Sequence, residues 1–186
     1  MPHSRACRSP VEPLGAIVGS ASAVVVLRQR DHPRPALGDQ AVAHHEDLRH
    51  GQAPDRAGVR RDLAEHPTNC TLAYGHHPRW SSGLHGSDST LTSLWRELAV
   101  GGVDVYLAGH DHHYERFAPI NGIRSFVVGT GGRSHYPVFR RLPKSVAGND
   151  DTFGVLRLTL SARGYNWRFL PVAGSSYSDT GATLCR

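Results

Sequence analysis

Lysine is almost missing: the single Lys144 stands in a chain of 186 residues whose formal charge of +5 is carried by scattered arginine. No run of basic residues alternates with aromatics, so nucleic-acid binding is not expected and the charge reads as solvated surface. The three cysteines, Cys7, Cys70 and Cys185, have no Cys-x-x-Cys spacing. That excludes a zinc ribbon or a thioredoxin-type pair and leaves room for at most one disulfide. No apolar stretch approaches the roughly 18 residues of a membrane span. Leu14–Leu27 (LGAIVGSASAVVVL), behind Arg5 and Arg8, imitates the basic and apolar regions of a secretory leader. Its strongest apolar run follows Ala21-Ser22-Ala23 instead of preceding it, so a buried strand over Ala23–Leu27 is an equal reading.

Charged residues at 20% and apolar residues at 39% are sparse for a compact enzyme, but not sparse enough for a disordered chain. What is plentiful is glycine (20), proline (12) and histidine (13). The first two suit a scaffold of short strands joined by turns, on which functional loops are hung. Residues 28–55 mix Arg, His, Pro, Ala, Gln and Asp with neither helical nor strand periodicity. Residues 1–56 are therefore expected to be atypical and poorly ordered, and the folded unit to run over residues 57–186.

Within that unit apolar segments alternate with turn signals. Val59, Leu63 and Ala64 predict a short helix over Ala57–Glu65, ended before Pro67. TLAY (Thr71–Tyr74) predicts a strand running into Gly75-His76-His77-Pro78. Ser87 or Asp88 can cap a helix carrying Leu91, Leu94, Trp95 and Leu98, which Gly101-Gly102 closes. VDVYL (Val103–Leu107) and SFVV (Ser125–Val128) predict two more strands, ending at Gly109-His110 and at Gly129-Thr130-Gly131-Gly132. FGVLRLTL (Phe153–Leu160) and YNWRFL (Tyr165–Leu170) flank the turn Ser161–Gly164 and predict an antiparallel hairpin. In open α/β sheets ligands gather where loops diverge at the carboxyl ends of strands. His76, His110 and the Gly129 loop are thus expected along one edge of one sheet.

GHDHHYER (Gly109–Arg116) places His110 and His112 two residues apart, so on an extended segment both face one side. Such a pair can reach two metal ions about 3.5–4 Å apart. His76 brings a third imidazole from the preceding strand through the same strand–Gly–His approach. Neutral imidazole suits Zn, Fe and Mn, and a dinuclear site ordinarily adds carboxylates, one of them bridging. Asp111, between two candidate ligands, is expected to point away from them and to support the loop.

YGHHPRWSSGLHG (Tyr74–Gly86), AGHDHHYERF (Ala108–Phe117) and GIRSFVVGTGG (Gly122–Gly132) resemble the last motifs of the calcineurin-like metallophosphoesterases. The likeness is to the purple-acid-phosphatase-like alkaline phosphatases of secreted bacterial type, and it runs from about Arg60 to Arg186. It implies an α/β fold, part of an αββα sandwich in which mixed sheets are flanked by helices. It implies His76 and His110 as ligands of one metal, His112 as a ligand of a second, and His85 as the histidine that contacts substrate phosphate or protonates the leaving group. His77 and His113 take structural places, while Tyr114, Glu115 and Arg116 brace the ligand loop by hydrogen bonds. The resemblance further implies two metal ions (Fe, Zn or Mn), a phosphate-ester substrate, export from the cell and possible oxidation of Cys70 and Cys185.

The family's upstream motifs, which supply the bridging aspartate, a second carboxylate and an asparagine, are not recognisable. Only Leu37-Gly38-Asp39-Gln40 imitates one, making Asp39 a candidate ligand. The expectation is an N-terminal half missing or replaced, with residues 1–56 foreign to the folded unit, as an out-of-frame or misassigned start would produce. The function expected is a phosphomonoesterase with an incomplete active site and weak turnover. The alternatives are a non-catalytic metal-binding remnant, an inert product of a disrupted gene, or a phosphodiesterase or nucleotidase of the same superfamily.

Overall fold

In the computed structural model, residues 25–28 and 56–186 are described. Asp39 and residues 14–24 of the leader-like stretch lie outside them.

The chain runs β1 (Val25–Arg28), α1 (Arg56–Glu65), β2 (Thr71–Tyr74), α2 (Thr92–Val100), β3 (Val105–Ala108), β4 (Tyr114–Phe117), β5 (Arg124–Val128), β6 (Ser145–Asn149), β7 (Gly154–Leu160), β8 (Gly164–Pro171) and β9 (Thr180–Leu184). Nearly all the expected elements form. The strand expected over Val103–Leu107 forms two residues later: the Val103 amide closes the helix end on Leu98 O, and Asp104 caps the sheet edge by accepting from Thr71 N at 2.9 Å. Asp88, one of the two expected caps, accepts from Thr90 N at 2.9 Å and starts a 3-10 turn (Ser89–Leu91) that leads into α2. Gly102, at φ 79, turns the chain out of that helix where a side chain would be strained.

A six-stranded mixed sheet has the order β1-β2-β3-β5-β4-β6, and a second sheet of β7-β8-β9 is wholly antiparallel. β2, β3 and β5 are mutually parallel neighbours, so their carboxyl ends open on one edge. β1 pairs antiparallel with β2, Val25 opposite Tyr74. The hairpin β7–β8 is in the register its alternation predicts, with Leu160 opposite Tyr165.

Each face of the large sheet has its own core. On one, Leu63 of α1 and Leu94, Trp95 and Leu98 of α2 pack on Ala73, Tyr106 and Ala108. On the other, Leu72, Val105, Leu107, Tyr114 and Phe126 meet Leu156, Leu158, Tyr165, Trp167 and Phe169 of the small sheet. Burying one such side chain fully is worth roughly 1.5–3 kcal/mol. The result is a helix–sheet–sheet stack; among the described residues no helix covers the outer face of the small sheet.

Long-range ties bind the two sheets. Asp179 accepts from Tyr114 OH (2.6 Å) and from Arg116 Nε and Nη2 (2.7 and 2.9 Å). Tyr114 and Arg116 thus hold the segment before β9 and do not brace the loop of candidate ligands, which corrects the expectation for them. Alternation explains why: in β4 they point to the face covered by the small sheet. A disulfide joins Cys70, just before β2, to Cys185, just after β9.

Candidate metal centre

The loops that follow β2 and β3 continue the parallel ladder before they part. Gly75 N donates to Leu107 O at 3.0 Å, and Gly109 N donates to His76 O at 3.1 Å. His76 and His110 are consequently delivered side by side, with His76 Nε2 3.1 Å from His110 Nδ1. Zn–N bonds are about 2.0–2.1 Å, so two nitrogens at this separation can bind one ion.

The extended geometry expected after Gly109 does not occur. His110 has φ 63, and the chain bends from residue 110 to residue 113 before β4 begins. This left-handed residue breaks the alternation that would have put His110 and His112 on one side. His112 stacks instead on Tyr136 (ring centroids 4.4 Å, 16° between planes), with its Nδ1 2.9 Å from Ser134 O. As the carbonyl can only accept, Nδ1 donates and Nε2 is left with the lone pair that a cation would take.

His77, expected in a structural place, stands in the group. The ligand nitrogens of His76, His77 and His110 all lie within 4.8 Å of one another, and the His77 and His110 rings are 4.1 Å apart. Asp88 Oδ2 lies 3.7 Å from His77 Nδ1. His85 approaches from the other side, its ring centroid 4.6 Å from that of His110. The structure therefore gathers His76, His77, His85 and His110, and stacks His112 on Tyr136. No carboxylate joins the three-histidine group among the described residues.

Burial first, then the crowding of His77, His76 and His85, lowers the His110 pKa to about 4. A neutral imidazole is the form that ligates a metal, so the cluster keeps this residue ready for a cation well into mildly acidic solution. Three imidazoles with no carboxylate fit one borderline ion. They do not by themselves fit a bridged pair.

Two buried carboxylates set the loop that carries His85. Asp111 accepts from Ser81 Oγ, from His85 N at 2.9 Å, and lies 2.9 Å from His85 Nδ1. Burial alone would raise its pKa, but the hydrogen bonds from Ser81 and His85 outweigh it and the net shift is downward. Glu115 accepts from Ser82 N (2.8 Å) and Ser82 Oγ (2.6 Å), and pairs with His113 Nε2 at 3.1 Å. Burial is again the largest influence and opposes ionisation, yet these bonds lower the pKa. Asp111 thus holds His85, and Glu115 does brace the loop. A Cβ on Gly83 would fall 2.5 Å from Asp111 Cγ and 2.7 Å from His113 Cε1, so this loop can lie against the carboxylates only without a side chain. Gly129 meets the same limit, since a Cβ there would collide with the Asp111 carbonyl oxygen.

No family model matches the chain. Among curated proteins it is 36% identical over 76 residues to tartrate-resistant acid phosphatase type 5 of Oryctolagus cuniculus, a stretch covering 40% of this chain and 23% of that protein. To the Homo sapiens protein of the same name it is 35% identical over 74 residues, covering 39% and 23%. The chain spans about a quarter of the length of these relatives. Among solved structures, GAP50, the anchor in the inner membrane complex of Plasmodium, superposes with a TM-score of 0.62 at 22% identity, covering 70% of this chain and 41% of that one. Purple acid phosphatase PPD1 from yellow lupin (Lupinus luteus) seeds gives 0.55 at 24%, covering 72% and 29%. Part of this chain is homologous to purple acid phosphatases, and its two-sheet α/β fold corresponds to part of the metallophosphoesterase fold that PPD1 has.

Proposed function

We propose that the chain carries one part of a metal-dependent phosphoric-ester hydrolase site of the phosphomonoesterase type. The observation that carries this reading is the 3.1 Å approach of His76 Nε2 to His110 Nδ1 at the ends of two parallel strands. His76 and His110 would hold one cation, which His77 reaches by rotating its partly exposed ring. His112, with Nδ1 committed to Ser134 O, offers Nε2 to a second. Zinc, iron or manganese are the ions this donor set suits. Such ions bind phosphoryl oxygens and lower the pKa of bound water from 15.7 toward about 7.

His85 is the residue proposed to touch the ester. Its Nδ1 is engaged by buried Asp111, which fixes the ring and supports its cationic form, in which Nε2–H hands its proton to the leaving oxygen and becomes neutral. The Cys70–Cys185 bridge supports a working place in an oxidising compartment outside the cell. No helix among the described residues is long and apolar enough to cross a membrane.

A second reading is a metal-binding unit without turnover, favoured by the lack of any carboxylate in the histidine group among the described residues. Elemental analysis combined with hydrolysis of p-nitrophenyl phosphate separates the two. Bound metal with measurable turnover that His85→Ala removes supports the hydrolase. Bound metal with no turnover supports the second reading, and a chain that binds no metal refutes both.

A further inference from the structure

Tyr136 stands where neither the metal cluster nor the carboxylate-held loop requires an aromatic ring. It lies flat on His112 at 4.4 Å and 16°, and meets His85 edge-on with centroids 5.5 Å apart and 69° between planes. Its backbone is held in the same place, with Tyr136 N donating to His112 O at 3.3 Å. The segment that carries it is tied to the His85 loop from the far end as well, by Leu142 N to Ser82 Oγ at 2.8 Å. The ring is therefore fixed and partly exposed, in contact both with the histidine proposed to protonate the leaving group and with the histidine proposed for the second cation.

Two exposed apolar residues are close in sequence to His85 and to Tyr136. Leu84, directly before His85, is 64% exposed, and Phe139, three residues after Tyr136, is 90% exposed.

We propose that Tyr136 is a specificity-determining residue, the platform against which an aromatic leaving group lies, so that the site prefers aryl over alkyl phosphate esters. This rests on the phosphate-ester reading of the histidine site. A planar leaving group beside His85 would meet the ring edge-on or offset, the arrangements in which aromatic pairs gain most beyond area burial.

The test is calorimetric binding of phenylphosphonate and methylphosphonate, which share charge and phosphoryl geometry, to the full chain loaded with Zn²⁺. The native protein should favour the phenyl compound by about tenfold. Tyr136→Ala should bring the ratio close to one, and Tyr136→Trp should preserve it. Because the readout is a ratio within each variant, general loosening of the site by the alanine change does not imitate the result. A native ratio of one, or a ratio that survives Tyr136→Ala, overturns this proposal while leaving the phosphate-ester reading intact. If the zinc-loaded native chain binds neither compound, the phosphate-ester reading fails and takes this proposal with it.

Discussion

His76 and His110 leave adjacent parallel strands and meet nitrogen to nitrogen at 3.1 Å, although they stand 34 positions apart in the chain. Two neutral imidazoles at that distance compete for one proton or share one cation. Titration with zinc is expected to show one tight site per chain. His76→Ala or His110→Ala should each weaken it by more than about a hundredfold, beyond the roughly 10–100-fold typical of losing a supporting residue, with His77→Ala nearer tenfold. Two ions bound with equal tightness would contradict this and place a second full donor set around His112.

Acidification should weaken the fold through His110. Its pKa is about 4 when folded against 6.5 ordinarily, so between these values the unfolded chain binds the extra proton and stability rises with pH. The contribution is fully present above 6.5 and is lost as pH falls toward 4. Denaturant midpoints measured from pH 7 to pH 4 should fall less steeply in His110→Asn than in the native chain; parallel curves would show that this imidazole is not responsible.

Glu115 is 1% exposed and accepts from Ser82 and His113. Glu115→Ala leaves buried donors without an acceptor, and an unfolding experiment should read a loss of roughly 3 kcal/mol. Glu115→Gln, which keeps the shape, should lose less. A change under about 0.5 kcal/mol in the alanine variant would mean the loop of residues 81–85 is held by something else.

The Cys70–Cys185 bridge closes a loop with a sequence separation of 115. Chain-entropy reasoning gives such a link about 4–5 kcal/mol, before any relaxation of the native state. Cys185→Ala should therefore lower the unfolding free energy by several kcal/mol, and adding a reductant to the native chain should reproduce that loss without adding to it in the variant.

Gly83→Ala tests the packing beneath His85. With Asp111 and His113 side-chain atoms 2.5–2.7 Å from the added methyl, the loop must lift away and the Asp111–His85 bond must lengthen. The bond from His85 N to Asp111, followed by hydrogen exchange of the His85 amide, should then lose protection; unchanged exchange would show that the loop absorbs the methyl elsewhere.

Much of the layout was legible because it depends on local pattern. The helix with Leu94, Trp95 and Leu98 inward, the β7–β8 hairpin and the three strands opening on one edge all follow from period and punctuation. What escaped was conformation at single residues and pairing across distance. A histidine at φ 63 carries no mark in the sequence, since the left-handed turn that Gly or Asn would announce is here adopted by His110 itself. After that residue His112 stacks on Tyr136, and His77, from the loop after β2, stands in the cluster. Asp179, more than 60 residues from Tyr114 and Arg116, could not be matched to them by any local spacing. Nor could β6 and β9, short strands with glycine inside, be told from loops.

The ladder bonds from Gly75 to Leu107 and from Gly109 to His76 carry one last implication. Neighbouring strands in every sheet lie about 4.7–4.9 Å apart, a constant of the peptide backbone and not of any particular fold. The two glycine–histidine steps leave such neighbours one residue out of step, His76 level with Gly109, and the left-handed turn at His110 follows directly. The pairing of these two rings depends on strand register, so a one-residue deletion within β3 should abolish the proposed zinc binding even with every histidine retained.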